Sequence, residues 1–157
     1  MDRSAPLSPV RATPADVAAW MIFVASVKEA FPWLEPLDAY RAKLDGHIAQ
    51  GEALCLKDGD SIVGVTLSDR RENRILCLAV DPDYRRCGLA SRLLTATLAG
   101  LDRRRAVTVR TFRAEDPRGI APRALYDRFG FFEGALGWRE GYPVQTLILP
   151  AEKGKNT

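Results

Sequence analysis

An apolar segment, Arg74–Val80, constrains the fold more than any other part of the sequence. After its first residue it has no charged or strongly polar side chain, which predicts a central strand covered on both faces. Asp81-Pro82 ends the strand, a short basic loop follows, and a helix is predicted after Gly88. The apolar positions of that helix share one face and are Ala90, Leu94, Leu98 and Leu101. We therefore expect a strand, a loop and a helix at the centre of the fold.

Capping and turn signals divide the remaining sequence into further elements. A short edge strand is predicted at 9–12, followed by helices at about 14–30 and 37–50. Strands at 53–57 and 61–67 flank the turn signal Asp58-Gly59-Asp60. A strand at 106–112, a helix at 121–129 and closing strands at about 132–138 and 144–149 complete the prediction. The expected order is β-α-α-β-β-β-α-β-α-β-β in an α/β (α+β) protein.

Composition limits the class of protein. The chain has 157 residues, 46% apolar and 27% charged, which is ordinary for one globular domain. We expect a single domain over residues 1–157, with 1–8 and 151–157 loose. No segment is long and apolar enough for a membrane span, and none has the pattern of a secretory signal. The net charge of +3 is too small to indicate a nucleic-acid partner. Arg103-Arg104-Arg105 is best explained as a solvated helix end, because no aromatic residues are interspersed with it.

The sulfur and nitrogen ligands are too few for a metal site. Cys55, Cys77 and Cys87 are odd in number and form no C-x-x-C pair, which favours a reduced, cytoplasmic protein. His47 is the one histidine, so neither a zinc site nor metal catalysis is expected. A serine hydrolase is also disfavoured, because G-x-S-x-G is absent, and no Walker phosphate loop is present.

The loop before the central helix has the properties of a phosphate site. The first amides of a helix have no internal partners, and the helix dipole makes that end positive. Gly88 and Ala90 are small enough to let a phosphate reach the backbone. Arg85 and Arg86 add positive charge, and Ser91 adds a hydroxyl donor. These residues predict a phosphate-bearing ligand.

The same residues resemble a known signature. Arg85-Arg86-Cys87-Gly88-Leu89-Ala90, preceded by Ala79-Val80-Asp81-Pro82, is similar to the acetyl-CoA-binding motif of the GNAT N-acetyltransferase superfamily. A second segment resembles the family's later helix, A-x-x-L-Y-x-x-x-G-F, in Leu125-Tyr126 and Gly130-Phe131. Three further segments resemble a bacterial branch of unassigned substrate: Thr111-Phe112-Arg113, Ala121-Pro122-Arg123 and Tyr142-Pro143-x-Gln145.

The resemblance implies a fold and a cofactor site. It implies the GNAT fold, with a mixed, mostly antiparallel sheet of about seven strands and flanking helices. The central strand diverges from its neighbour, and pantetheine lies in the gap as an added strand. Leu78, Ala79 and Val80 are then expected to hold pantetheine. The pyrophosphate is expected at the loop and helix start, with contacts from Arg85, Arg86, Cys87, Gly88, Leu89, Ala90 and Ser91.

The resemblance also implies one catalytic side chain. Tyr126 matches the family's tyrosine that protonates the departing thiolate, which a tyrosine with a pKa near about 10 can do. A base is not assigned, because Arg74–Val80 carries no carboxylate. Glu115 and Asp116 are positional candidates, for which a solvated loop is at least as good an explanation. Glu72 is better explained as a hairpin residue and His47 as a structural or exposed histidine, and a water chain is the alternative to an assigned base. The family's asparagine seven residues before the tyrosine is replaced by Gly119.

The sequence leaves the function open at two points. The leading interpretation is transfer of an acetyl group from acetyl-CoA to a primary amine of a small molecule or peptide, by direct attack in a ternary complex. The alternative is a non-catalytic acyl-CoA sensor or interaction module of the same fold, and an acyl group other than acetyl is also open. The aromatic candidates for an apolar acceptor pocket are Trp20, Phe31, Trp33, Trp138 and Tyr142. Trp20 is better explained by core packing, and Trp33, in a proline-bounded loop, has the stronger claim to the site. A homodimer is compatible with the edge strands.

Overall fold

Seven strands form one sheet in the computed structural model, which describes residues 7–85 and 87–153. In chain order they are β1 (Val10–Arg11), β2 (Ala53–Asp58), β3 (Ser61–Asp69), β4 (Arg74–Val80), β5 (Val107–Phe112), β6 (Phe132–Arg139) and β7 (Tyr142–Leu149). The helices are α1 (Val17–Val27), α2 (Leu37–Ala49), α3 (Leu89–Ala99) and α4 (Ile120–Arg128). The predicted order of elements is confirmed.

The sheet is mixed and mostly antiparallel. Its strand order is β1-β2-β3-β4-β5-β7-β6, and β4 and β5 are the parallel pair. The crossover between these two strands contains α3, as a parallel connection requires. The fold class expected from the sequence is therefore confirmed.

Helix boundaries follow the predicted caps with small shifts. The Thr13 backbone N–H donates to Oδ2 of Asp16 at 2.7 Å, and a 3₁₀ turn, Pro14–Asp16, leads into α1. The helix ends at Val27, not near residue 30, and continues as a 3₁₀ turn, Lys28–Ala30. Gly51 and Gly130, which follow α2 and α4, have φ of +72° and +94°, which favours glycine.

The helices cover the two faces of the sheet. One core lies beneath α1 and α2 and includes Trp20, Leu44 and Val65, all fully buried. Trp20 donates from Nε1 to the Tyr40 hydroxyl at 3.0 Å, so its predicted core position is confirmed. The other face is covered by α3 and α4, around Leu94 and Val107.

The central strand β4 differs from its prediction in one respect. It was expected to be covered on both faces, but Leu76, Cys77, Leu78 and Val80 are only half-buried. The reason is that β4 pairs with β5 through Arg74 and Ile75 alone. From Leu76 onward this edge of β4 faces a cleft, and the cleft positions the candidate site.

The chain ends fall partly outside the described residues. Looseness was predicted for 1–8 and 151–157, of which 1–6 and 154–157 are not described. Leu7 packs against the core around Leu56, and the backbone N–H of Glu152 donates to Arg103 O at 2.8 Å. No helix among the described residues is long and apolar enough to cross a membrane.

Candidate active site

The site begins where β4 and β5 separate. Leu67 of β3 is opposite Cys77, whereas Ser68 is opposite Ile75, so Leu76 is an extra residue in β4. Such a bulge bends the strand and ends regular pairing. The β4–β5 register stops at Ile75↔Val109, directly before this bulge. The backbone of β4 from Leu76 to Val80 consequently lies along an open cleft.

The cleft has a volume of about 880 Å³ and contains most of the predicted site residues. Both strands, the start of α3, the start of α4 and the segment after α1 contribute to its walls. The predicted residues that line it are Leu78, Ala79, Val80, Arg85, Gly88, Leu89, Ala90, Ser91 and Tyr126. Two separate sequence motifs, around Gly88 and Tyr126, therefore meet at one site.

The loop at the start of α3 has an exposed backbone. Gly88 has φ of +71°, and a Cβ placed there would meet no heavy atom within 4 Å. The first bond of the helix runs from the Arg92 N–H to Gly88 O at 3.1 Å, so the amides between them have no partner within the helix. Cys87 is exposed and does not line the cleft, and Arg86 lies outside the described residues.

Tyr126 is held in the opposite wall by packing. Its side chain is 4% exposed and meets Phe131 edge to face at 5.2 Å between ring centroids. Burial, with a smaller contribution from Cys77, raises the pKa of Tyr126, so the phenol is protonated at neutral pH. Within the described part of the chain, the Tyr126 hydroxyl has no hydrogen-bond partner. The group is thus a protonated donor facing the cleft.

Comparison of the sequence with family models identifies a family for the chain. The model of the acetyltransferase (GNAT) domain matches residues 49–133, which is more than half of the chain. The chain belongs to the GNAT acetyltransferase family. The matched segment includes β2 to β5, the Gly88 loop, Tyr126 and the start of β6. No curated protein sequence matches the chain.

Solved structures show the same fold. Ard1 from Thermoplasma volcanium aligns with a TM-score of 0.74 at 17% identity, covering 95% of this chain and 100% of that one. The Escherichia coli ribosomal-protein-S18-alanine N-acetyltransferase gives 0.69 at 19% identity, with 97% and 99% covered. YncA from Salmonella typhimurium, solved with its cofactor acetyl-CoA, gives 0.69 at 16% identity, with 98% of each chain covered.

The carboxylates considered as bases lie outside this GNAT cleft. Glu72 is exposed in the β3–β4 turn, and Glu115 is exposed after β5. Asp116 accepts from the Tyr142 hydroxyl and from the Arg118 N–H, the latter at 3.0 Å. Among the described residues that line the cleft, the one carboxylate is Glu29, which is exposed.

His47 and Gly119 have structural explanations in this fold. His47 Nδ1 lies 3.0 Å from Oε1 of Glu52, and His47 does not line the cleft. Gly119 packs closely against β5, since a Cβ there would lie 2.7 Å from the Cβ of Phe112. An asparagine side chain therefore does not fit at position 119 without movement of its neighbours.

An aromatic cluster lies at one side of the cleft. Trp33 is 6% exposed and lies 4.8 Å from Phe112 and 5.9 Å from Tyr142 between ring centroids. Trp33 lines the cleft, and its expected role at an acceptor site stays a prediction. The sequence predicts no site role for Phe112, which appears there only in a segment that resembles the bacterial branch. Alternation along a strand does not show which face of the strand borders a cleft.

Two arginines near the cleft were also missed. Arg110 lines the cleft from β5, and Arg139, at the end of β6, contacts Leu76 of the cleft wall. The Nη1 of Arg139 donates to Leu76 O at 3.4 Å, a contact between residues 63 positions apart. No local pattern in the sequence joins two such distant residues.

Proposed function

We propose that this GNAT protein is an N-acetyltransferase that moves an acetyl group from acetyl-CoA to a primary amine. The observation that carries this proposal is the free edge of β4 beside the start of α3. An unpaired strand edge can accept an extended pantetheine arm through backbone hydrogen bonds. A helix start with accessible amides suits the pyrophosphate. Both features lie in one cleft with Tyr126.

The proposed cofactor contacts run along the cleft from β4 to α3. The backbone of Leu78 and Val80 would hold pantetheine, with Ala79 between them. Arg85, Gly88, Leu89, Ala90 and Ser91 would surround the pyrophosphate, and their place in the cleft wall supports this. Contacts of Arg86 and Cys87 with the pyrophosphate stay predictions. The prediction for Arg86 rests on its charge, and that for Cys87 rests on its position in the sequence.

Tyr126 is the proposed general acid. Acetyl-CoA would supply the thioester, and the amine would attack its carbonyl carbon directly. The C–N bond forms, the C–S bond breaks, and the departing sulfur takes the phenolic proton of Tyr126. The raised pKa of Tyr126 keeps that proton available at neutral pH.

The amine proton is assigned to water. Glu29 is exposed, and no other carboxylate lines the cleft within the described residues. A covalent acetyl-enzyme on Cys77 is disfavoured, because burial raises the pKa of this thiol to about 11 and so keeps it protonated. The raised pKa of Cys77 supports the proposed direct attack in a ternary complex. An uncharged amine is then the attacking species, so the rate should rise with pH up to the pKa of the acceptor itself.

Free thiol release from acetyl-CoA, measured over a panel of small amines and peptides, tests the proposal. An acetyltransferase releases coenzyme A only with an acceptor present and forms an equal amount of N-acetyl product. Tight acetyl-CoA binding without release for any acceptor would favour the alternative, a non-catalytic acyl-CoA sensor or interaction module. The observation that favours this non-catalytic alternative is that β4 carries no carboxylate. Propionyl-CoA and longer acyl-CoA probes in the same assay determine the acyl preference.

Localisation and assembly stay predictions. Free cysteines at positions 55, 77 and 87 agree with a reducing compartment and with the expected cytoplasmic location. A homodimer would use an edge of the sheet, and β6 is one edge, with Trp138 65% exposed. Sedimentation analysis of the purified protein would determine the oligomeric state.

A further inference from the structure

Three arginines, Arg74, Arg110 and Arg139, lie near the point where β4 and β5 separate, and Arg110 lines the cleft. The parallel register ends at Ile75↔Val109, so Leu76 and Arg110 are the first residues beyond the paired part of the two strands. Arg139 donates to the carbonyl of that same Leu76 and lies 5.5 Å from the centroid of the Trp33 ring. Burial, followed by the charge of Arg110, lowers the pKa of Arg139, and Arg74 acts in the same direction. The three charges are therefore close enough to repel one another.

Within the described part of the chain, these three arginines have no acidic partner at ion-pair distance. The described ion pairs within 4.0 Å include none that involves these three residues. The nearby carboxylate, Glu35, is paired with Lys43 at 3.0 Å. Burial raises the pKa of Glu35, but hydrogen bonds and the charges of Lys43 and Arg139 outweigh this effect and lower it, so the carboxylate is ionised. Glu35 therefore acts on Arg139 from beyond ion-pair distance, while its close partner is Lys43.

Arg110 has a buried donor that lacks a hydrogen-bond partner. Its Nε is buried and has no hydrogen-bond partner among the described residues. Burial and the charge of Arg74 lower the pKa of Arg110. A buried guanidinium nitrogen without a partner is costly, and proteins ordinarily satisfy such groups.

Other arginines of this chain show that the fold satisfies guanidinium groups elsewhere. Arg123 donates to Phe112 O at 2.9 Å and to Gln145 Oε1 at 3.0 Å, and it pairs with Glu133 at 2.9 Å. Arg113 donates to Val144 O at 3.2 Å and to Gly137 O at 2.9 Å. The unpartnered Nε of Arg110 is thus a local exception, located at the cleft.

We propose that Arg110 and Arg139, supported by Arg74, bind an acidic group of the acceptor, so that the substrate is an amine bearing a carboxylate or phosphate a few bonds from its nitrogen. The proposal rests on the proposed function and assigns its substrate class. Guanidinium forks match the oxygens of both groups. The apolar part of the acceptor would lie against Trp33 and Phe112, which are 4.8 Å apart between ring centroids.

The cluster lies far from the proposed pyrophosphate site. Leu76 and Arg110 are the first residues beyond the paired part of β4 and β5, and Val80 lies four residue steps after Leu76, which is about 13 Å along the strand. The Gly88 loop lies beyond that end of β4. Two anion sites at opposite ends of one cleft therefore serve different partners, coenzyme A and the acceptor.

Binding of product-like ligands tests the proposal without requiring turnover. A panel of N-acetyl amino acids is compared with the matching N-acetyl amino acid amides by calorimetry, with coenzyme A present. At least one acid should bind about 10- to 100-fold more tightly than its amide, as expected for a charged hydrogen-bonding group. N-acetyl phosphoethanolamine against N-acetyl ethanolamine distinguishes a phosphate from a carboxylate.

Variants connect the effect to the cluster. Arg110→Gln and Arg139→Gln should each remove the preference for the acid, and Arg110→Lys should keep part of it. Arg71→Gln, at an exposed arginine outside the cleft lining, should leave it unchanged. Thermal unfolding of each variant verifies that it is folded.

The outcomes separate this proposal from the function on which it rests. Equal binding of every acid and its amide, or acids that compete with coenzyme A, would overturn the acidic-acceptor proposal even if amines are acetylated. Acid binding lost in Arg110→Gln, with no acetylation of any amine, would leave the anion site standing and contradict the transferase.

Discussion

Replacing Gly88 by alanine tests the phosphate loop most sharply. Gly88 has φ of +71°, where an alanine costs about 1–2 kcal/mol, offset by about 0.4–1 kcal/mol from a less flexible unfolded chain. The net loss is about 1 kcal/mol, a decrease in Tm of about 2–4 °C for a chain of this size. The added Cβ meets no protein atom within 4 Å, so it enters the space assigned to the pyrophosphate. We expect acetyl-CoA to bind about 10- to 100-fold more weakly, through loss of charged hydrogen bonds.

Gly59→Ala is the matched control. Gly59 lies in the β2–β3 turn, has φ of +63°, and likewise has open space around its Cβ position. Both variants should lose similar stability by thermal unfolding, but only Gly88→Ala should bind acetyl-CoA more weakly by calorimetry. If the two variants bind acetyl-CoA as tightly as the unaltered protein, the assignment of the pyrophosphate to this loop is wrong.

Three further predictions address catalysis, packing and charge. Tyr126→Phe should lower kcat about 100-fold with little change in KM for acetyl-CoA; full turnover with an unchanged pH profile would remove its role. In chemical denaturation, Leu94→Ala should cost about 2–5 kcal/mol, whereas the control Leu136→Ala, at a side chain 62% exposed, should change stability little. Burial raises the pKa of Asp16, but bonds from Lys57 and Thr13 lower it below 3.8. A lowered pKa in the folded state means that the ionised Asp16 stabilises the fold. This stabilisation is complete above the pKa of Asp16 in the unfolded chain and is lost as the pH falls through its pKa in the folded protein. Asp16→Asn should therefore flatten the loss of stability below about pH 4.

The elements were predictable because their signals are local. The strand Arg74–Val80 has the predicted bounds, and α3 begins directly after Gly88. Turn and capping residues act over three or four positions, so one sequence suffices to find them. The gap between β4 and β5 was expected from the family resemblance, not from the residues of β4.

The part of the site that we assign to the acceptor was not predictable in the same way. Arg139 comes close to β4 only because β7 pairs with β5 and β6 pairs with β7. The contact of Arg139 with Leu76 therefore depends on tertiary structure and leaves no spacing in the sequence. The half-buried state of β4 was mispredicted for a related reason, since an apolar strand beside a cleft has the same composition as a covered one.

A crystal structure with bound acetyl-CoA would show whether the cleft holds the cofactor as proposed. We expect an extended pantetheine arm along the free edge of β4, with backbone bonds at Leu78 and Val80. We also expect the pyrophosphate at Gly88 and the thioester sulfur within hydrogen-bonding reach of the Tyr126 hydroxyl. Acetyl-CoA bound outside the gap between β4 and β5, or with its thioester remote from Tyr126, would contradict the proposed mechanism.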